Sequence, residues 1–303
     1  MKPKYYLIIL LLLLLPTLAL AYSGHSKTLS AKAEKTIGLN YYYGRNGFKR
    51  NYFKAVYWFR KAAERGNLNA QFDLGYAYYY GRGVKQNYSK AVYWYKKAAD
   101  QGNVHGQTYL ASAYYLGRGV KQSYSKAVYW LKKAADQGNA DAQLDLGISY
   151  YLGYEGKQNY SKANYWFRKA AARGNTIAQV NLGSAYYSGR GVKQNYSKAV
   201  YWFRKAAFQG NTDGQSHLSS PNVYLASAYY LGRGVKQNYS KAVYWFRKAA
   251  AQGNTDGQLG LGIAYYLGHG VKQNYSKAVY WLKKAAAQGS VEAKTLLNKI
   301  RRR

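Results

Sequence analysis

The chain has no cysteine, three prolines, four histidines and only 11 acidic side chains among 303 residues. Without cysteine, no disulfide can hold the fold and the usual thiolate zinc patterns are excluded. The histidines, His25, His105, His217 and His269, share no metal-ligand spacing, so each is expected on the surface. No metal and no cofactor is expected. So few prolines leave most of the chain free to adopt regular structure.

Against those acids stand 46 lysines and arginines, a net charge of +35. Residues 1–21 read as a signal peptide: Lys2 and Lys4 precede an apolar run over 7–15, and Ala19-Leu20-Ala21 gives an A-x-A cleavage pattern. Pro16 interrupts an apolar stretch already shorter than the about 20 residues that span a bilayer. Cleavage is therefore expected, leaving no transmembrane segment. Then 44 basic and 11 acidic side chains remain, a net +33. Such a charge raises nucleic acid as a partner, but export argues against it. An acidic protein surface, an anionic glycan or a membrane surface fits better. The expected location is the periplasm or the outside of a bacterial cell, or the secretory lumen of a eukaryote.

Periodicity decides the architecture. Tryptophans fall at 58, 94, 130, 166, 202, 245 and 281, a step of 36 residues broken once by 43, and Gly-Asn pairs keep the same step. The expected fold is all-α: an α/α superhelical solenoid of seven helix-pair repeats with a C-terminal capping helix. A lead over 22–31 precedes repeats at about 32–66, 67–102, 103–138, 139–174, 175–210, 211–253 and 254–289. Residues 290–303 form the cap and a basic tail. Within a repeat, the first helix is expected over 69–81 and the second over 87–102, with Asn87 as N-cap and Gly102 as terminator. Ala91, Trp94, Tyr95 and Ala98 give one buried stripe. The column Gly38, Gly75, Ala111, Gly147, Gly183, Ala226 and Gly262 never exceeds alanine in size, which implies tight helix contact. The extra seven residues are assigned to 216–222, an exposed loop, with a helix restarting near Pro221 behind Ser220. Residues 109–122 recur letter for letter at 224–237.

The pattern LGxxYYxGRGVKQNYSKAVYWxxKAAxQGN resembles the Sel-one-like repeat family, relatives of the tetratricopeptide solenoids, across residues 32–303. The resemblance implies a non-catalytic scaffold for protein–protein contacts, often at the bacterial envelope or host interface or in the eukaryotic secretory pathway. The family usually carries Asp where Asn87, Asn159, Asn195, Asn238 and Asn274 stand, so the high charge reflects missing acids. Its cysteine-rich branch clips each repeat with a disulfide, which this chain cannot do. Some of that branch have been linked to β-lactams, and Ser123 to Lys126 reads S-x-x-K. The supporting S-D-N and K-T-G elements are absent, and Ser123 replaces a capping Asn. No enzyme activity is expected. Five N-Y-S sequons begin at the same asparagines, where capping explains their spacing without a glycan.

Two tyrosine columns exceed what the fold needs. Tyr42, Tyr79, Tyr115, Tyr151, Tyr187, Tyr230 and Tyr266 stand where the family is usually polar. Because first helices line the concave side in related solenoids, this column either forms a ladder of phenols in the groove or packs between repeats. Arg82, Arg118, Arg190 and Arg233 lie in the adjacent turns, interrupted by Tyr154 and His269. These two columns are the expected partner-binding surface. A second column, Tyr57, Tyr93, Tyr129, Tyr165, Tyr201, Tyr244 and Tyr280, precedes each Trp. Lys90, Tyr93 and Lys97 share one helix face, expected to be solvated with lysine stems over the ring.

Overall fold

A computed structural model describes residues 29–154, 156–209 and 220–301. The signal peptide, most of the lead, residues 216–219 of the insert, His25, His217 and the last two arginines lie outside the described residues. Fifteen helices occur among them: α1 Ala31–Tyr43, α2 Tyr52–Glu64, α3 Leu68–Tyr80, α4 Tyr88–Asp100, α5 Val104–Leu116, α6 Tyr124–Asp136, α7 Ala140–Leu152 and α8 Tyr160–Ala172. They continue as α9 Thr176–Ser188, α10 Tyr196–Phe208, α11 Pro221–Leu231, α12 Tyr239–Ala251, α13 Thr255–Leu267, α14 Tyr275–Ala287 and α15 Val291–Arg301. None is long and apolar enough to cross a membrane.

Caps set the helix boundaries. Asn87, Asn159, Asn195, Asn238 and Asn274 each accept the backbone N–H three residues on, at 2.8–2.9 Å. The sequon asparagines are thus N-caps of second helices, each satisfying an otherwise orphan donor. Ser123 does the same for α6, accepting from the Lys126 N–H at 3.4 Å. The first helices start earlier than expected: α3 begins at Leu68, because the Asn67 of the Gly-Asn pair is itself the cap. Gly81, with φ of +70°, closes α3 in the left-handed conformation that a Cβ would strain.

Ala91, Tyr95 and Ala98 of the predicted stripe are fully buried. Trp94 is only half-buried, whereas Trp130, Trp166 and Trp245 are buried. The small-residue column meets a large side chain of the paired helix, a ring at Gly38, Gly75, Gly147 and Gly183 and Leu282 at Gly262. A Cβ on Gly147 would stand 2.6 Å from the Phe167 ring, and one on Gly183 2.7 Å from that of Phe203. Each helical glycine costs about 1 kcal/mol. Full burial of the facing phenylalanine returns about 2–3 kcal/mol, so close approach wins.

The insert needs a correction. Ser220 caps α11 and Pro221 occupies its first turn, as expected, but Pro221 and Asn222 are buried and helical rather than part of an exposed loop. Asn222 takes over a role within the repeat that glutamine fills elsewhere, tying the first helix to the end of the second: its Nδ2 donates to Gln252 Oε1 at 3.1 Å, as Gln137 Nε2 does to Gln107 Oε1 at 2.9 Å. α11 is consequently two residues shorter than its counterparts.

The chain divides into two compact parts, residues 1–106 and 107–303. In the first, α1 to α4 pack in chain order around Phe59, Leu74 and Tyr95. Among its described residues it contains three ion pairs: Lys35–Asp73 at 3.9 Å, Arg65–Glu34 at 3.2 Å and Lys96–Asp100 at 2.7 Å. In the second, α6 to α15 likewise pack on their chain neighbours. Its core runs through Phe167, Leu182, Phe203, Leu225, Phe246 and Leu261 to Leu282 and Leu297.

Candidate recognition surface

The first tyrosine column sits near the end of each first helix, and its rings are half-buried except that of Tyr115, which is 37% exposed. Each packs against the tyrosine that opens the second helix of its own repeat. Tyr42–Tyr52, Tyr79–Tyr88, Tyr151–Tyr160, Tyr187–Tyr196 and Tyr230–Tyr239 have ring centroids 5.0–5.2 Å apart, edge to face. Tyr115–Tyr124 and Tyr266–Tyr275 follow at 5.5 and 5.7 Å. Such pairs add about 0.5–1.5 kcal/mol beyond burial.

The hydroxyl then reaches the turn of the next repeat. Arg82 donates to Tyr42 Oη, Arg233 to Tyr187 Oη, and Arg190 Nη1 to Tyr151 Oη at 2.8 Å. The structure therefore brings the predicted tyrosine and arginine columns together and makes them a joint between repeats. Tyr154 and His269, which look like interruptions in the sequence, keep the same joint. Tyr115 Oη and Tyr154 Oη lie 2.7 Å apart, and Tyr230 Oη and His269 Nδ1 2.8 Å. Both replacements are flat and stack on the helix-opening tyrosine, Tyr154 on Tyr124 at 4.9 Å and His269 on Tyr239 at 4.4 Å. Arg233 likewise lies over Tyr196, 5.6 Å from its centroid. Arg118 is exposed in the turn after α5.

Tyr42, Tyr154 and Tyr230 hold their protons more firmly than a free phenol. The hydrogen bond from Tyr115, then crowding, pushes Tyr154 up to about 12. Burial raises Tyr42, against the opposing pull of Arg82, and burial raises Tyr230. The helix-opening tyrosines were not singled out in the sequence, although one follows the capping residue of every second helix.

The second tyrosine column is different. Tyr57, Tyr93, Tyr129, Tyr165, Tyr201, Tyr244 and Tyr280 are each about half exposed, 49–53%. Each meets its following Trp edge to face, as Tyr165 meets Trp166 at 5.0 Å, and carries a lysine four residues on over its ring, as Lys169 does at 4.8 Å. Lys97 follows this pattern, 5.0 Å from the Tyr93 centroid. Lys90 does not cover Tyr93: its ammonium lies 5.6 Å from the Tyr78 centroid, on the preceding helix.

Ser123 Oγ is occupied by its capping bond and a 3.2 Å contact with Ser125 Oγ, while the Lys126 ammonium lies over Tyr114 at 5.4 Å. Serine and lysine thus do not form a nucleophile–base pair. No cluster of three or more metal-ligating side chains occurs among the described residues.

The Sel1 repeat pattern matches residues 36–67, 68–103, 104–139, 140–175, 176–211, 222–254 and 255–290. A protective antigen of uropathogenic Escherichia coli with an SLR fold is similar over 89% of this chain and 64% of its own, at 34% identity and a TM-score of 0.71. This chain thus spans less than two thirds of that antigen's length. A Sel1 repeat protein from Oxalobacter formigenes is similar over 89% of this chain and 76% of its own, at 32% identity and a TM-score of 0.67. Among curated proteins nothing matches. Sel1 repeat proteins are in general non-catalytic scaffolds for contacts with other proteins. With seven repeats matched and the helix pairs in place, this chain belongs to the Sel1 repeat family.

Proposed function

We propose that the chain is an exported, non-catalytic scaffold that binds a protein partner with an acidic surface through its first tyrosine column and the neighbouring arginines. The tyrosine-to-turn joint carries this reading. It fixes each ring before any partner arrives, so contact area is offered with little further loss of side-chain entropy. A half-exposed edge recurs once per repeat, and weak contacts sum along such a row. A net charge of +35, +33 once residues 1–21 are removed, raises the encounter rate with an acidic partner. The envelope or host interface suits this function, and the relative described as a protective antigen supports it.

The test begins with a pull-down from envelope extracts to capture the partner. Tyr115, Tyr151, Tyr187 and Tyr230 are then replaced by Ser in one variant, and Lys126, Lys162, Lys198 and Lys241 by Gln in another. With circular dichroism showing both folded, binding should vanish only in the tyrosine variant. A third variant, with Gln at Arg82, Arg190 and Arg233, keeps a donor for each phenol but removes charge, and should slow association. Equal losses in the tyrosine and lysine variants, or loss in the lysine variant alone, sink the proposal. Export is tested separately: the mature protein should begin at Tyr22.

A second reading, an anionic polysaccharide binder, draws on the exposed Tyr–Trp–Lys row. Binding by that row should weaken steeply with salt, unlike an apolar protein interface.

A further inference from the structure

Asp73 on α3 and Asp145 on α7 occupy the same position, the sixth residue of a first helix. Their surroundings differ. Asp73 is paired with Lys35, the fifth residue of α1, at 3.9 Å. The corresponding residue for Asp145 is Thr108 of α5, which carries no charge. Among the described residues no ion pair or hydrogen bond reaches the Asp145 carboxylate. Only Asp73, Glu34 and Asp100 stand in ion pairs among the described acids, so Asp145 differs from its counterpart Asp73 in lacking one.

Asp145 borders two hollows of the second part. The larger, about 680 Å³, is walled by Ile148, Phe167, Ile177 and Tyr224, with Asn181 and Ser184 among its polar groups. The smaller, about 250 Å³, adds Ser112, Tyr115 and Tyr154 on the other side. Ser184 Oγ is buried with no hydrogen-bond partner. The larger volume falls within the about 300–1,000 Å³ of ligand sites, which are mostly apolar with a few placed polar groups.

We propose that this site receives a peptide segment, with a lysine or arginine head group on Asp145 and its apolar neighbours against Ile148, Phe167 and Ile177. Asp145 is exposed where the two hollows meet, so its carboxylate is open to an incoming cation, and Lys35 shows how an ammonium approaches this helix position. Asn181 and Ser184 can answer peptide N–H and C=O groups, which favours a peptide over a bare amine. Although the side chain keeps access to solvent, the protein packed around it and, next, Asp141 push its carboxyl up to about 6. A bound cation relieves that strain.

The inference goes beyond the acidic-partner reading and stands on different residues. Its test is calorimetric titration of the full chain with acetyl-Leu-Lys-Phe-Leu-amide, beside analogues carrying norleucine or glutamate in place of lysine. The lysine peptide should bind at about millimolar concentration or below. Norleucine, glutamate and Asp145→Asn should each weaken binding at least about tenfold, the loss of one charge-assisted contact. Thr108→Lys should also block it, by supplying an internal ammonium as Lys35 does for Asp73. Circular dichroism confirms that each variant is folded. Absence of binding to the folded parent chain, equal binding of the norleucine peptide, or an unchanged affinity in Asp145→Asn overturns the proposal. Capture of the acidic partner should persist in Asp145→Asn, so the two readings fail independently.

Discussion

The two tyrosine columns share a residue type and a 36-residue step, yet one is a joint and the other a solvated surface. In the first, ring and hydroxyl are both engaged: Tyr187 packs on Tyr196 at 5.2 Å and accepts from Arg233 of the next repeat. In the second, Tyr201 is 51% exposed, with Trp202 at its edge and Lys205 5.2 Å above its ring. What separates them is the helix they stand on. The end of a first helix faces the next repeat's turn, so a side chain there has two neighbours to satisfy. The second helix turns Tyr201 toward water, where lysine stems shield only part of the ring.

The comparison breaks most visibly on truncation. Tyr187→Ala should cost about 2–3 kcal/mol, a reduced version of the usual large-to-small loss because the ring is half-buried. Tyr201→Ala should stay within about 0.5 kcal/mol. Chemical denaturation of both variants compares them directly, and equal costs would erase the distinction.

Removing only the oxygen sharpens it. Tyr151→Phe keeps the packed ring but leaves the Arg190 Nη1 donor, 2.8 Å away in the parent, without its acceptor. The expected loss is about 1 kcal/mol, against no measurable change for Tyr165→Phe.

A pH comparison should give a smaller effect. Asp145 has its carboxyl raised from 3.8 to about 6 in the fold, so the folded chain holds that proton more tightly than the unfolded one. Its contribution is present below about pH 4 and is lost as pH rises through about 6. Asp145→Asn should therefore melt higher than the parent at pH 7, and the gap should close toward pH 4. A constant gap would show that the charge is already neutralised. Last, Lys205→Gln should shift stability by no more than about 0.5 kcal/mol, the scale of an exposed cation–π contact.

The fold was legible because every repeat writes the same period, caps and small-residue column, and each of these acts locally. Even the misplaced start of α3 follows from local chemistry, since Asn67 and Asn69 can both cap and only the preceding Gly66 turn selects Asn67. The tyrosine-to-turn joint was only half legible. Both columns were visible, but their bond links residues about 40 apart, as in Arg82 to Tyr42, and sequence spacing alone does not say which turn reaches which helix. Reading Tyr154 and His269 as interruptions weighed charge, whereas the position selects a flat group that stacks and forms a hydrogen bond. Asp145 passed unnoticed because its character lies in the missing lysine of another helix.

The stand-in of Asn222 for glutamine has a consequence for how such a chain changes length. Each repeat presents to its successor the same sockets that its predecessor presents to it: a carbonyl late in the second helix for a buried glutamine, as Ala135 O offers Gln143, and a phenol awaiting a turn, as Tyr151 offers Arg190. Splicing in another copy therefore breaks one junction and makes two of the same kind, with nothing elsewhere to redesign. The sixth repeat shows how much error such a unit tolerates within itself. Its first helix, α11, is two residues short and a shorter amide fills glutamine's place, yet the bond to Gln252 of the paired helix is still made. The reach of the molecule can then grow or shrink in steps of one helix pair while the chemistry of each step stays constant.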